Sequence, residues 1–170
     1  MKHAVIPCGA DLTALYRSLS GDYPKFFKMD TLSKLGFLLA EQLAAEDTGR
    51  FQPRDDRAIL AFSRVGCRAA DNNYIATMAD FPSPALFVYT LPNIVTGEIA
   101  IRNKWAGETS AFLLEGFDKE QMARLVLEAF QDPCTQSAFV AWIDCPSDTQ
   151  WTAEAWLVDK NEFITYGKLD

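Results

Sequence analysis

Apolar residues recur at two spacings along this chain. In "MDTLSKLGFLLAEQLAAED", Leu32, Leu35, Leu39 and Leu43 share one helical stripe, so a helix is predicted from about 31 to 46 with Asp30 as its cap. "RAILAFSRVG", about 57 to 65, is a short apolar run stopped by Gly66 and reads as a buried strand. "CRAADNNYIATMAD" reads as a helix of weak periodicity. Pro82, Pro84 and Pro92 exclude a regular helix over "FPSPALFVYTLPN". A helix then opens at Asn93, with Ile94, Ile99 and Ala100 facing inward and Gly97 allowing another backbone to approach closely. "TSAFLLE", about 109 to 115, is a strand with a continuous apolar middle. Asp118 caps the next helix, Gln121 can complete a capping box, and Met122, Leu125, Val126 and Ala129 form its buried stripe. "QSAFVAWIDC" is a buried strand, and "TAEAWLVDKN" is a last strand before a short tail. This alternation predicts one α/β layered domain over 1–170, with a mixed, mainly parallel sheet and helices on both faces.

Composition narrows the chemistry. The 170 residues carry a net charge of −7, which argues against nucleic acid and anionic membranes as partners. No run of about 18 apolar residues exists, and the apolar part of "MKHAVIPCGADL" is too short for a secretory signal, so a cytoplasmic protein without a membrane span is expected. Cys8, Cys67, Cys134 and Cys145 lack metal-site spacing and read as reduced, partly buried thiols. No metal or cofactor is expected. His3, near a terminus expected to be mobile, is the one histidine, so a His-based triad or a two-His site cannot be built from one chain. Cys67 lies between a strand and a helix, where a dipole-activated thiol is conceivable, but it has no histidine to pair with. Cys134 and Cys145 flank a buried strand and read as small core residues.

Residues 83 to 116, "SPALFVYTLPNIVTGEIAIRNKWAGETSAFLLEG", resemble the N-terminal half of β-ketoacyl-(acyl carrier protein) synthases. That family shows a Ser-Pro before an extended segment, an Asn opening a helix with a Gly and an I-x-I end, and a buried strand running to the nucleophilic cysteine. Ser83-Pro84, Asn93, Gly97, Ile99 to Ile101 and Gly107-Glu108 fall in those places. The resemblance extends diffusely from 22 to 162 through "FFKMDTLSKLGFLLAEQLAAE", "SAFVAWIDC" and "EAWLVDKNE". "LLEGFD" is similar to short, non-catalytic relatives of that half, found with aryl polyene, flexirubin-type and related fatty-acid or polyketide pathways.

The resemblance implies a thiolase-like layered fold reduced to one half. The position of the nucleophile is Gly116, preceded by Glu115, and the histidines of the synthase belong to a C-terminal half that these residues do not contain. A catalytically inactive accessory protein is implied. Two alternatives are a synthase subunit whose Cys and His come from a partner, and a module binding an acyl chain or other hydrophobic ligand. In the family, the strand before the nucleophile pairs across a two-fold axis, which makes Ser110, Ala111, Phe112, Leu113, Leu114 and Glu115 candidates for a dimer edge. The partner is a second copy or a full-length ketoacyl synthase; a helix or loop of the same chain is the other possible cover. Arg64 and Arg68, beside Asn72 and Asn73, and Arg102 with Lys104 are candidates for docking an acyl carrier protein. Phe139, Trp142, Trp151, Trp156 and Tyr166 are core aromatics or interface anchors.

Overall fold

Strand β2 (Arg57–Ser63) is the apolar run "RAILAFS", and every residue of it is buried. A computed structural model describes residues 1–19 and 21–169, without the Tyr166 side chain. β2 runs parallel to β3 (Thr109–Leu113) on one side and to β4 (Ser137–Ser147) on the other. β4 turns back through Asp148 and Thr149 into the antiparallel β5 (Gln150–Asp159), and β1 (Lys2–Ile6) pairs antiparallel with β5. The order β1-β5-β4-β2-β3 gives the expected mixed sheet, parallel around β2 and antiparallel where the β4–β5 hairpin forces a reversal.

Alternation along the strands builds two cores. Ile59, Ala61, Phe139 and Ile143 face α1 (Leu12–Leu19), α2 (Thr31–Leu43), α3 (Arg68–Ile75) and α5 (Ile94–Asn103). Leu60, Phe62, Val140 and Trp142 face α6 (Lys119–Ala129) and α7 (Lys160–Tyr166). Helices therefore cover both faces. Phe139, Trp142 and Trp156 are core, while Trp151 is half-buried and donates its indole N–H to the Pro7 carbonyl at 3.2 Å. The Tyr166 side chain lies outside the described residues.

Local chemistry sets most helix ends. Asp30 caps α2 by accepting the Ser33 N–H at 3.0 Å, and Asp118 caps α6 by accepting that of Gln121 at 2.9 Å. Several expectations need correction. The helix expected at 67–80 stops at Ile75, and α2 stops at Leu43. Pro84 does not prevent α4 (Pro84–Val88), because a proline in the first helical turn gives up only an N–H that lacks an intrahelical partner anyway. Asn93 precedes α5 without a side-chain capping bond. Gly97 faces open space. Close approaches occur instead at Gly107, against the Arg57 and Asp55 backbone, and at Gly36, where a Cβ would run into the Val95 side chain as α2 crosses α5. The expected C-terminal tail is α7, capped by Asp159, which accepts the Asn161 and Glu162 N–H groups. His3 is held in β1, stacked on Trp156 at 4.8 Å and within 3.2 Å of Glu154. Among the described residues, no helix is long and apolar enough to cross a membrane.

Candidate functional site

β3 is the outermost strand on its side of the sheet, so one row of its backbone groups meets no strand among the described residues. The register shows which row. Ile59 donates to the Glu108 carbonyl at 2.8 Å, and Leu114 donates to that of Ser63 at 2.9 Å. In a parallel ladder, alternate residues direct both backbone groups to the same neighbour. Ser110 and Phe112 therefore bond to β2, while Thr109, Ala111 and Leu113 turn their N–H and C=O groups to the open edge. Phe112 stacks on Phe62, with ring centroids 5.1 Å apart and planes 18° apart. Leu113 is 62% exposed, Leu114 is buried and Glu115 is exposed. The Ser110 hydroxyl donates to Glu108 at 2.9 Å.

The two edges of the sheet differ in chemistry. β1 carries Lys2 and His3, charged or titratable groups that discourage further strand addition. Residues 109–114, "TSAFLL", carry no charge. No helix or loop of the same chain is hydrogen-bonded along the outer side of β3 among the described residues.

Beyond β3 the chain passes Glu115, Gly116 and Phe117 before α6. These residues, with Leu113, Leu114, Asp118 and Gln121, line an open concavity of about 560 Å³. A Cβ at Gly116 would have nothing within 4 Å, so the position has room for a side chain and holds none. Phe117 leans on Trp142, with centroids 5.3 Å apart. The helix end that would stabilise a developing oxyanion is occupied by the Asp118 carboxylate, and Glu115 adds a second carboxylate. Neither is a thiol. His3 lies on the opposite edge of the sheet, four strand spacings or about 19 Å away.

The other candidates lie elsewhere. Cys67 is buried at the start of α3. Burial first, then the charges of Asp30 and Asp71, push its thiol up to about 12, the opposite of activation. Burial pushes Cys145 up to about 12 as well, while Cys134 is exposed rather than part of the core. Arg102 turns inward: it donates to Glu41 at 3.0 Å and to Asp22 at 2.7 Å, and lies over the Phe51 ring. Its side chain is 9% exposed, so its charge is committed within the fold. Lys104 is exposed, and its left-handed backbone ends α5. Arg64 lies 3.3 Å from Asp144, Arg68 is exposed, Asn72 is exposed and Asn73 donates to Asp148 at 2.8 Å. An apolar pocket beneath β3, lined in part by Ala111, Leu113, Pro92 and Val95, measures about 20 Å³, room for about one water.

No family model and no curated protein sequence matches the chain. Solved structures do match its fold. One is the ketosynthase ApeO in complex with its chain length factor ApeC from Xenorhabdus doucetiae, at a TM-score of 0.64 and 14% identity, covering 94% of this chain and 77% of that one. Another is the ishigamide ketosynthase/chain length factor, at a TM-score of 0.66 and 15% identity, covering 89% of this chain and 48% of that one. The chain therefore has the thiolase-like fold of ketosynthase and chain length factor proteins.

Proposed function

We propose that this chain is a catalytically inactive, cytoplasmic β-ketoacyl synthase-like accessory protein, and that it adds its β3 edge to the sheet of a full-length ketosynthase. The pathway would be of fatty-acid or polyketide type, as in aryl polyene or flexirubin-type biosynthesis. The observation that carries this reading is the uncharged, unpaired backbone row of Thr109, Ala111 and Leu113. Left open, such an edge invites aggregation; paired, it extends a sheet through two subunits. The similarity to a ketosynthase in complex with its chain length factor supports a ketosynthase as the partner. Gly116, with Glu115 and Asp118 beside it, supports the loss of condensing chemistry, since none of the three supplies a thiolate. The small volume beneath β3 weighs against an acyl-binding module acting alone. Arg68 and Lys104 remain accessible to an acidic carrier protein docking on the same complex.

The test is affinity purification of the tagged full chain from its native organism, with identification and intact mass of the retained proteins. Wild type is expected to hold a full-length ketosynthase, and Leu113→Lys to lose it. Incubated with radiolabelled acyl or malonyl carrier protein, the complex should take label on the ketosynthase alone. Label on this chain, or a chain recovered with no ketosynthase, contradicts the proposal.

A further inference from the structure

Residues 69–90 are tied to the rest of the fold at few points. α3 and α4 pack on each other, with the Tyr74 and Phe87 rings 5.4 Å apart and the Ser83 N–H donating to the Thr77 hydroxyl at 3.1 Å. They pack little on the core. α3 buries Ala69 and Ala70, and α4 buries no residue. Ile75, Met78, Phe81 and Phe87 are exposed, and Tyr89, just past α4, is the one large side chain of the segment that is buried. Among the described residues, no backbone hydrogen bond joins 69–90 to anything outside 67–91. Two side-chain bonds do. The Asn73 side-chain amide donates to Asp148 at 2.8 Å, and the Tyr89 hydroxyl donates to Glu98 at 3.3 Å. Each acceptor is itself fixed. Asp148, in the β4–β5 turn, also accepts the Thr31 hydroxyl at 2.6 Å, and Glu98, buried on α5, lies 2.8 Å from the Lys25 ammonium.

The segment is bounded by residues suited to a hinge. Gly66, just before α3, has a left-handed backbone with φ of 54°, and Pro92 ends the segment before α5. A glycine can turn through such conformations at little steric cost. Between the helix pair and the start of α2 lies a concavity of about 360 Å³, lined by Lys28, Asp30 and Lys34 on the α2 side and by Asn73, Leu86 and Tyr89 on the other. Elements with little buried apolar surface and few bonds to the core open locally at a lower free energy than a central sheet does. We propose that α3 and α4 move as one hinged flap over this concavity, with Asp148 and Glu98 as its two latches. The flap is a property of the chain alone and does not rest on the pairing at β3.

Amide exchange of the full chain by itself, read residue by residue by NMR, tests this. The reporters are the Ala76, Met78, Phe87 and Thr90 amides, each hydrogen-bonded inside the flap. In wild type all four are expected to exchange at least about tenfold faster than the amides of α2 and β2. Asp148→Ala removes one latch, and Tyr89→Phe removes the other while keeping the ring. Each variant is expected to speed all four reporters by about tenfold, including those on the helix it does not touch, and to leave β2 and α6 unchanged. Wild-type reporters as slow as β2 would place the pair in one cooperative unit with the sheet and overturn the proposal. Acceleration of Ala76 and Met78 alone in Asp148→Ala, or of Phe87 and Thr90 alone in Tyr89→Phe, would show two separate helices and no flap. Reporters unchanged in both variants would remove the latches and the proposal with them. Acceleration that spreads to β2 and α6 reports general unfolding and also overturns it.

Discussion

Phe112 stacks on Phe62 across the β2–β3 ladder, the one half-buried at the sheet edge and the other fully buried. The pair anchors the edge strand to the centre of the sheet. Phe112→Ala should cost about 2 kcal/mol, less than a fully buried phenylalanine because part of the ring already meets solvent. Urea denaturation measures the loss. Leu113→Lys, at an exposed neighbour, should stay within about 0.5 kcal/mol of wild type.

Three glycines should respond differently to alanine. A Cβ at Gly107 would lie 2.8 Å from the Arg57 carbonyl carbon and 2.9 Å from the Asp55 carbonyl oxygen, backbone atoms that cannot move aside. Gly107→Ala should therefore cost about 3 kcal/mol. Gly36→Ala meets the Val95 side chain, which can shift in part, and should cost about 1–2 kcal/mol. Gly116→Ala meets nothing within 4 Å and should be neutral or stabilising by about 0.5 kcal/mol. The three melting midpoints give the ranking directly.

Thiol accessibility separates the four cysteines. Cys8 and Cys134 are exposed, while Cys67 and Cys145 are buried with thiols pushed up to about 12. At pH 8 a disulfide-exchange reagent should modify two thiols in the folded chain and four in denaturant. Fast modification of Cys67 would revive a reactive-thiol reading.

Burial holds the Asp30 carboxyl above its ordinary value of 3.8, against the opposing pull of its capping bonds to Ser33. A carboxyl raised in the folded state favours the protonated form. Its contribution is fully present below the unfolded value and is lost as pH rises through the folded one. Asn also caps helices but does not titrate. Relative to Asp30→Asn, wild type should therefore gain stability as pH falls from neutral toward 3.8 and level off below it. Paired unfolding curves at pH 7 and pH 3.5 check the direction.

The elements legible in the sequence are those with one clean period. α2 and α6 show helical stripes, and β2 and β4 are short apolar runs buried on both faces. β1 and α1 went unread because "KHAVI" is short and half-exposed, and α1 buries Tyr16 alone. Arg102 looked like surface charge because Glu41 and Asp22, which bind it, lie about sixty and eighty positions away in sequence. Gly116 could be named from a family pattern. That β3 ends the sheet could not be read from periodicity, since strand order depends on long-range pairing.

Hydrogen exchange along β3 tests the central claim most directly. In the chain alone, the amides of Ser110, Phe112 and Leu114 should be protected by β2, while those of Thr109, Ala111 and Leu113 exchange quickly. In complex with the ketosynthase, the account predicts that the second set becomes protected and the first set is unchanged. Equal exchange of Thr109, Ala111 and Leu113 in the free and bound chain would contradict pairing at this edge.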